Sequence, residues 1–122
     1  MKVLIVEDNP TDSKLLAAVA SMSGCTVQAA PSAEEALLTM KQCLPDVILL
    51  DLKLPGMDGF EFLRRVRRNP LTHAVPVIAL TAYPARYLAQ LHHTDRIEWM
   101  FKPIDTRELP ARLLQAVGRS PP

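Results

Sequence analysis

The sequence predicts an α/β protein: a doubly wound, five-stranded parallel sheet carrying five helices. Two observations predict it. Short runs of Val, Ile and Leu recur at 3–6, 47–50 and 75–80 (Pro76 included), and runs of that length and composition read as strands buried on both faces. Helix-length stretches separate them, so strand and helix alternate strictly, and right-handed crossovers then place helices on both faces of the sheet. A chain of 122 residues is long enough for one domain and too short for two.

The first strand, 3–6, stops at Glu7 and Asp8. Asn9, Thr11 or Asp12 can cap a first helix whose Leu15, Leu16, Val19 and Met22 recur at helical spacing, with Gly24 placed to end it. Residues 26–29 form a short second strand. Ser32 and Glu35 make a capping box for a second helix that turns Ala36, Leu37 and Met40 inward and closes at Pro45-Asp46. The third strand stops at Asp51. Leu54-Pro55-Gly56-Met57-Asp58-Gly59 is a turn-rich loop. A third helix then presents Phe60, Leu63 and Val66 on one face and ends near Asn69-Pro70.

The fourth strand delivers Thr81. Pro84 suits the first turn of a fourth helix carrying Leu88 and Leu91. Residues 97–101 are the fifth strand, which delivers Lys102 and then Pro103. Asp105 or Thr106 caps a fifth helix with Leu109, Leu113, Leu114 and Val117, in which Pro110 is tolerated at the cost of one hydrogen bond. The domain is expected to span 1–119, leaving 120–122 as a tail or the start of a linker.

Bulk properties exclude several classes of function. Hydrophobic residues make up 48 % and charged residues 22 %, the balance of a soluble globular protein. A net charge of +1 gives no pull toward nucleic acid or an anionic membrane. Arg64, Arg65, Arg67 and Arg68 therefore read as a solvated helix face, with Glu61 four residues before Arg65 as a ready partner. Cys25 and Cys43 lack Cys-x-x-Cys spacing, and His92-His93 has no third ligand in view, so neither pair reads as a metal or redox site. No apolar stretch approaches the roughly 20 residues of a spanning helix. The charges at Glu7 and Asp8 argue against a signal peptide, and a cytoplasmic location is expected.

Chemistry concentrates where the strands end. In an open α/β sheet the ligand site lies outside the carboxyl ends of the strands, so Glu7, Asp8, Asp51, Thr81 and Lys102 should gather in one crevice. A carboxylate is a poor nucleophile toward a phosphoryl group because both are negative: two unit charges ~4 Å apart repel by about 4 kcal/mol at an effective dielectric near 20. Mg²⁺ resolves that repulsion, since it takes one or two carboxylates, keeps waters and accepts phosphate oxygens as further ligands. An ammonium and a hydroxyl can hold the remaining phosphoryl oxygens. An acidic pair, a lone Asp, a Thr and a Lys are what a reversible aspartyl phosphate requires.

Five motifs carry a family resemblance: Val-Glu-Asp-Asn at 6–9, Pro-Asp-Val-Ile-Leu-Leu-Asp at 45–51, Leu-Pro-Gly-Met-Asp-Gly at 54–59, Leu-Thr-Ala at 80–82 and Lys-Pro at 102–103. With these in order, the chain resembles the CheY-like receiver domains of response regulators in bacterial two-component signalling, over essentially its whole length. The resemblance implies a flavodoxin-like fold with strand order 2-1-3-4-5. It implies that Asp51 accepts a phosphoryl group from a sensor histidine kinase or a histidine phosphotransfer protein, in a two-component system or phosphorelay. Asp8 would ligate Mg²⁺ (Mn²⁺ being the alternative ion) together with Asp51 and the backbone carbonyl of Lys53, and Glu7 would act through metal-bound water. Thr81 and Lys102 would bind phosphoryl oxygens. Trp99 holds the place of the family's switch aromatic, where Tyr or Phe is more usual. Output would pass through helix 4, strand 5 and helix 5 to a downstream protein or fused output domain.

Lys53 and Tyr83 stand two residues beyond Asp51 and Thr81, beside the approach path of hydrolytic water, and are expected to lengthen the life of the phosphoprotein. The segment 83–98 departs most from the family: it lacks the Gly-Ala that commonly precedes the fifth strand and is about one residue short. A turnover enzyme is not expected, because an aspartate-nucleophile phosphohydrolase usually has a second acid where this chain has Lys53. The alternative is a pseudo-receiver, the same fold used as an interaction module without phosphorylation, which has no physical need for three crowded carboxylates.

Overall fold

A computed structural model describes residues 1–82 and 97–118. The sheet is five-stranded, with β1 (Lys2–Val6), β2 (Thr26–Ala30), β3 (Val47–Asp51), β4 (Val77–Thr81) and β5 (Ile97–Phe101). All neighbours are parallel and the order is β2-β1-β3-β4-β5, as the resemblance implied. Four helices lie among the described residues: α1 (Pro10–Met22), α2 (Ala33–Gln42), α3 (Gly59–Arg68) and α4 (Leu109–Gly118). The helix expected after Pro84 falls outside the described residues.

Two apolar layers follow from the period-2 alternation of strands buried on both faces. Val3, Ile5, Val47, Leu49, Ile78, Leu80 and Met100 pack with Leu16 and Ala20 of α1 and with Leu109, Leu113 and Ala116 of α4. The intervening Leu4, Val6, Ile48, Leu50, Val77 and Ala79 pack with Ala33, Ala36 and Met40 of α2 and with Phe62, Leu63 and Val66 of α3. Ile97 and Trp99 join the second layer as half-buried side chains, opposite Met100.

Helix starts are set by local side chains. Asn9 is the residue that caps α1, accepting from the backbone of Thr11 at 2.9 Å and Asp12 at 3.1 Å. Ser32 caps α2 through the Glu35 N–H at 3.2 Å, and Asp58 caps α3 through the Glu61 N–H at 2.8 Å. Gly24, with φ of 86°, follows the end of α1.

Two element starts differ from the sequence expectation by more than one residue. β4 begins at Val77, because Pro76 has no N–H to give the ladder; its carbonyl still accepts from Ile48 at 3.0 Å. The last helix begins at Leu109, because Asp105 accepts instead from the backbone of Arg107 at 2.9 Å and from its guanidinium at 3.2 Å, and residues 106–108 form a turn. Pro110 is thereby the second residue of the helix, where an N–H has no intrahelical partner, so no hydrogen bond is lost.

Gly59 marks the tightest approach near the strand ends. A Cβ there would lie 2.5 Å from the Leu52 Cα and 2.9 Å from the carbonyl oxygens of Asp51 and Leu52, while its own N–H bonds to Leu52 O at 3.1 Å. Only a residue without a side chain lets α3 start against this backbone. Gly59→Ala is expected to cost about 1–3 kcal/mol by overpacking. A chemical-denaturation midpoint equal to that of wild type would show that α3 backs away without cost.

Candidate functional site

Register determines which residues meet. Val6 is level with Leu50 and with Ala30, Asp51 with Leu80, and Thr81 with Phe101. Glu7 and Asp8 follow β1, Asp51 and Thr81 end β3 and β4, and Lys102 follows β5. All five line one open cleft of about 660 Å³, with Asn9, Asp12, Lys53, Leu54, Pro55 and Ala82. The predicted crevice at the carboxyl end of the sheet is therefore present, and the five residues picked out by the strand ends share it.

At its centre Lys102 Nζ lies 3.1 Å from Asp51 Oδ2 and 3.3 Å from Glu7 Oε1. Both carboxylates are buried, Glu7 at 2 % exposure and Asp51 at 4 %, and Thr81 is buried at 1 %. Asp51 Oδ1 accepts the Lys53 N–H at 3.0 Å, so both of its oxygens are fixed. Glu7 Oε2 faces the Asn9 N–H at 3.4 Å, and the Lys102 N–H bonds to Thr81 O at 2.8 Å. The Lys102–Pro103 peptide is cis.

This crowding has an electrostatic signature. Burial pushes the Glu7 carboxyl up to about 7, contact with Asp51 and its negative charge push the same way, and Lys102 only partly offsets them. Burial works against the charge of Lys102, yet Asp51 and Glu7 outweigh it and raise its pKa above the ordinary value. Carboxylate oxygens of Glu7, Asp8 and Asp51 lie within 4.8 Å of one another. Three hard oxygen donors, two of them buried and one of those raised chiefly by that burial, fit a divalent ion such as Mg²⁺.

A pH dependence follows. Glu7 titrates near 4.5 in an unfolded chain and near 7 here, so the folded state holds the extra proton between those values. That contribution to stability is full below the lower value and is lost as pH rises through the upper one. In EDTA the unfolding midpoint should fall across this window, and Glu7→Gln should flatten the slope. Ion binding has to displace the proton, so Mg²⁺ affinity should rise over the same window. An affinity independent of pH would contradict the assignment of Glu7.

Lys53 is exposed at the rim of the cleft. Trp99 lies in β5, half-buried in the α2/α3 layer and level with Ala79. Tyr83 lies outside the described residues, as do His92 and His93. Of the α3 arginines expected on a solvated face, Arg64, Arg65 and Arg68 are exposed, with Glu61 pairing to Arg64 at 2.6 Å and to Arg65 at 3.3 Å. Arg67 is instead half-buried and donates to His73 O at 3.1 Å and to Val75 O at 2.6 Å.

Comparison with known proteins decides the family. The family model for the response regulator receiver domain matches residues 3–114. The chain belongs to that family. A relative, the uncharacterized 14.6 kDa protein in the sodA1 3′ region of Leptolyngbya boryana, is 38 % identical over 94 % of this chain and 88 % of its own length. The phosphate regulon transcriptional regulatory protein PhoB of Rhizobium meliloti is 35 % identical over 99 % of this chain but 54 % of its own length, so the receiver domain corresponds to about half of that regulator. Among solved structures, the receiver domain of sensor histidine kinase PA1611 from Pseudomonas aeruginosa, with a magnesium ion coordinated in its active site cleft, is 29 % identical. It superimposes with a TM-score of 0.84 over 96 % of this chain and 97 % of its own. No helix among the described residues is long and apolar enough to cross a membrane.

Sequence reasoning missed one residue that lines the receiver cleft and two side-chain contacts outside its lining. Asp12, in the first turn of α1, lines the cleft. Glu34 of α2 bonds to the Met57 N–H at 3.0 Å. Arg112 of α4 donates to Trp99 O at 2.6 Å and lies 3.7 Å from Glu98. Only Asp12 had a usable signal, an acidic residue four positions after Asp8 in the first turn of α1.

Proposed function

We propose that this receiver domain is a phospho-accepting switch in which Asp51 takes a phosphoryl group from a phosphohistidine of a sensor kinase or phosphotransfer protein. The observation that carries the reading is Lys102 bridging the buried Asp51 and Glu7, beside an Asp8 close enough to share a cation with them. An interaction module gains nothing from burying this charge, whose desolvation is costly. Asp8, Asp51 and the Lys53 carbonyl would hold Mg²⁺ (or Mn²⁺), with Glu7 acting through a bound water. When present, the ion supplies the positive charge that lets a carboxylate approach a phosphoryl group.

In the transfer an oxygen of Asp51 bonds to phosphorus as the P–N bond to the donor histidine breaks, and the imidazole keeps the electron pair. Lys102 leaves Asp51 Oδ2 for a phosphoryl oxygen, and the Thr81 hydroxyl donates to another. Lys53 at the rim shields the acyl phosphate from water and makes it long-lived; Tyr83, expected to share that role, lies outside the described residues. Lys102 follows β5 three residues after Trp99, so the lysine's movement biases β5 and the elements packed on it. The consequence is a changed surface for a downstream protein or a fused output domain.

Beryllofluoride with Mg²⁺ mimics the acyl phosphate and tests the reading without a donor. Fluorescence of Trp99, the one tryptophan of the chain, should change on its addition. The change should vanish in Thr81→Ala while Mg²⁺ binding survives. No beryllofluoride binding at all would favour the pseudo-receiver reading.

A further inference from the structure

We propose that Glu34 is a positioning residue for the divalent-ion site: its carboxylate, reaching from α2, holds the loop between Asp51 and α3 in the shape that presents the Lys53 carbonyl. This rests on the reading of Asp8, Asp51 and that carbonyl as ligands. Glu34 Oε1 accepts the Met57 N–H at 3.0 Å, across 23 residues of sequence. Its carboxylate also covers Gly56, where φ is 71° and a Cβ would lie 3.3 Å from Glu34 Oε2. Glu34 reaches from the first turn of α2, which Ser32 caps and where a carboxylate is favoured by the helix dipole.

The loop has few other fastenings. At its root the Lys53 N–H bonds to Asp51 Oδ1 at 3.0 Å and Leu52 O accepts the Gly59 N–H at 3.1 Å. At its exit Asp58 caps α3. Between them Leu54 is buried and Pro55 and Gly56 are exposed, so Glu34 is the polar anchor at the crown. A loop released there keeps its ends and loses the curvature between them, and that curvature sets where the carbonyl of Lys53 points. A charged acceptor makes the stronger bond to a backbone N–H, which suits a loop that must not yield when an ion or a phosphoryl group arrives.

Calorimetric Mg²⁺ titration of the full chain, with hydrogen exchange at the Met57 amide, tests this. Glu34→Ala should weaken Mg²⁺ binding about tenfold, the size expected for a lost outer-shell support, while Glu34→Gln, which keeps an acceptor oxygen, should stay within about twofold of wild type. Met57 exchange should quicken in Glu34→Ala alone, and Glu35→Ala should change neither readout. A merely structural anchor lowers thermal stability and leaves ion affinity untouched, so wild-type affinity in Glu34→Ala overturns the proposal at any unfolding midpoint. Glu34→Gln binding as weakly as Glu34→Ala also overturns it. Wild type failing to bind Mg²⁺, or Asp8→Asn binding as well as wild type, would instead overturn the underlying reading of the site.

Discussion

Asp51→Asn is expected to abolish phosphoryl acceptance and leave the fold in place. The amide is isosteric with the carboxylate, and its oxygen can still accept the Lys53 N–H that holds Asp51 Oδ1 at 3.0 Å. It is no nucleophile at neutral pH. Incorporation from an acyl-phosphate donor with Mg²⁺ should fall by more than about 10³-fold, as losing a nucleophile does elsewhere. The substitution also removes the contact and the charge that, after burial, raise the Glu7 carboxyl to about 7. The pH dependence of stability should therefore weaken in the same variant. Labelling that persists undiminished would show that another residue is the acceptor.

Lys102→Ala should separate ion binding from phosphoryl transfer. The ammonium bridges Asp51 and Glu7 at 3.1 and 3.3 Å, so it competes with a divalent ion for the same carboxylates. Without it, Mg²⁺ should bind at least as tightly as in wild type. Transfer should nevertheless slow by about 10²-fold or more, the usual loss when one donor to a developing oxyanion is removed. A metal-free sample should also be less stable, because two buried carboxylates are left without their partner. If ion affinity and transfer rate collapse together, Lys102 builds the ion site and does not serve the phosphoryl group.

Much of this was legible because each site residue sits at the end of a strand or within two residues beyond it, and the strand's own composition announces it. Val-Leu-Ile-Val before Glu7 and Val-Ile-Leu-Leu before Asp51 fix the strand ends, and parallel packing makes those ends meet. The alternation of 97–101 puts Ile97, Trp99 and Phe101 on the side opposite Met100, and Ile97 and Trp99 pack there while Phe101 stays exposed. What escaped depends on distances that no local pattern carries. Glu34 and Met57 meet across 23 residues of sequence, and Arg112 reaches Trp99 O from another element, 13 residues on. The start of the last helix was misplaced for a different reason. Asp105 has a side-chain partner in Arg107, two residues on, and that local turn outcompetes the cap.

The most direct test of the central claim is to find where the phosphoryl group goes. An acyl phosphate is an activated carbonyl, and borohydride reduces it to an alcohol, converting a phosphorylated aspartate into homoserine. Wild-type protein treated with a small acyl-phosphate donor and Mg²⁺, then reduced, digested and sequenced by mass spectrometry, should carry homoserine at position 51 and at no other aspartate, and EDTA should prevent it. Homoserine at Asp8 or Asp58, or an unmodified position 51 in a protein that binds Mg²⁺, would contradict the account.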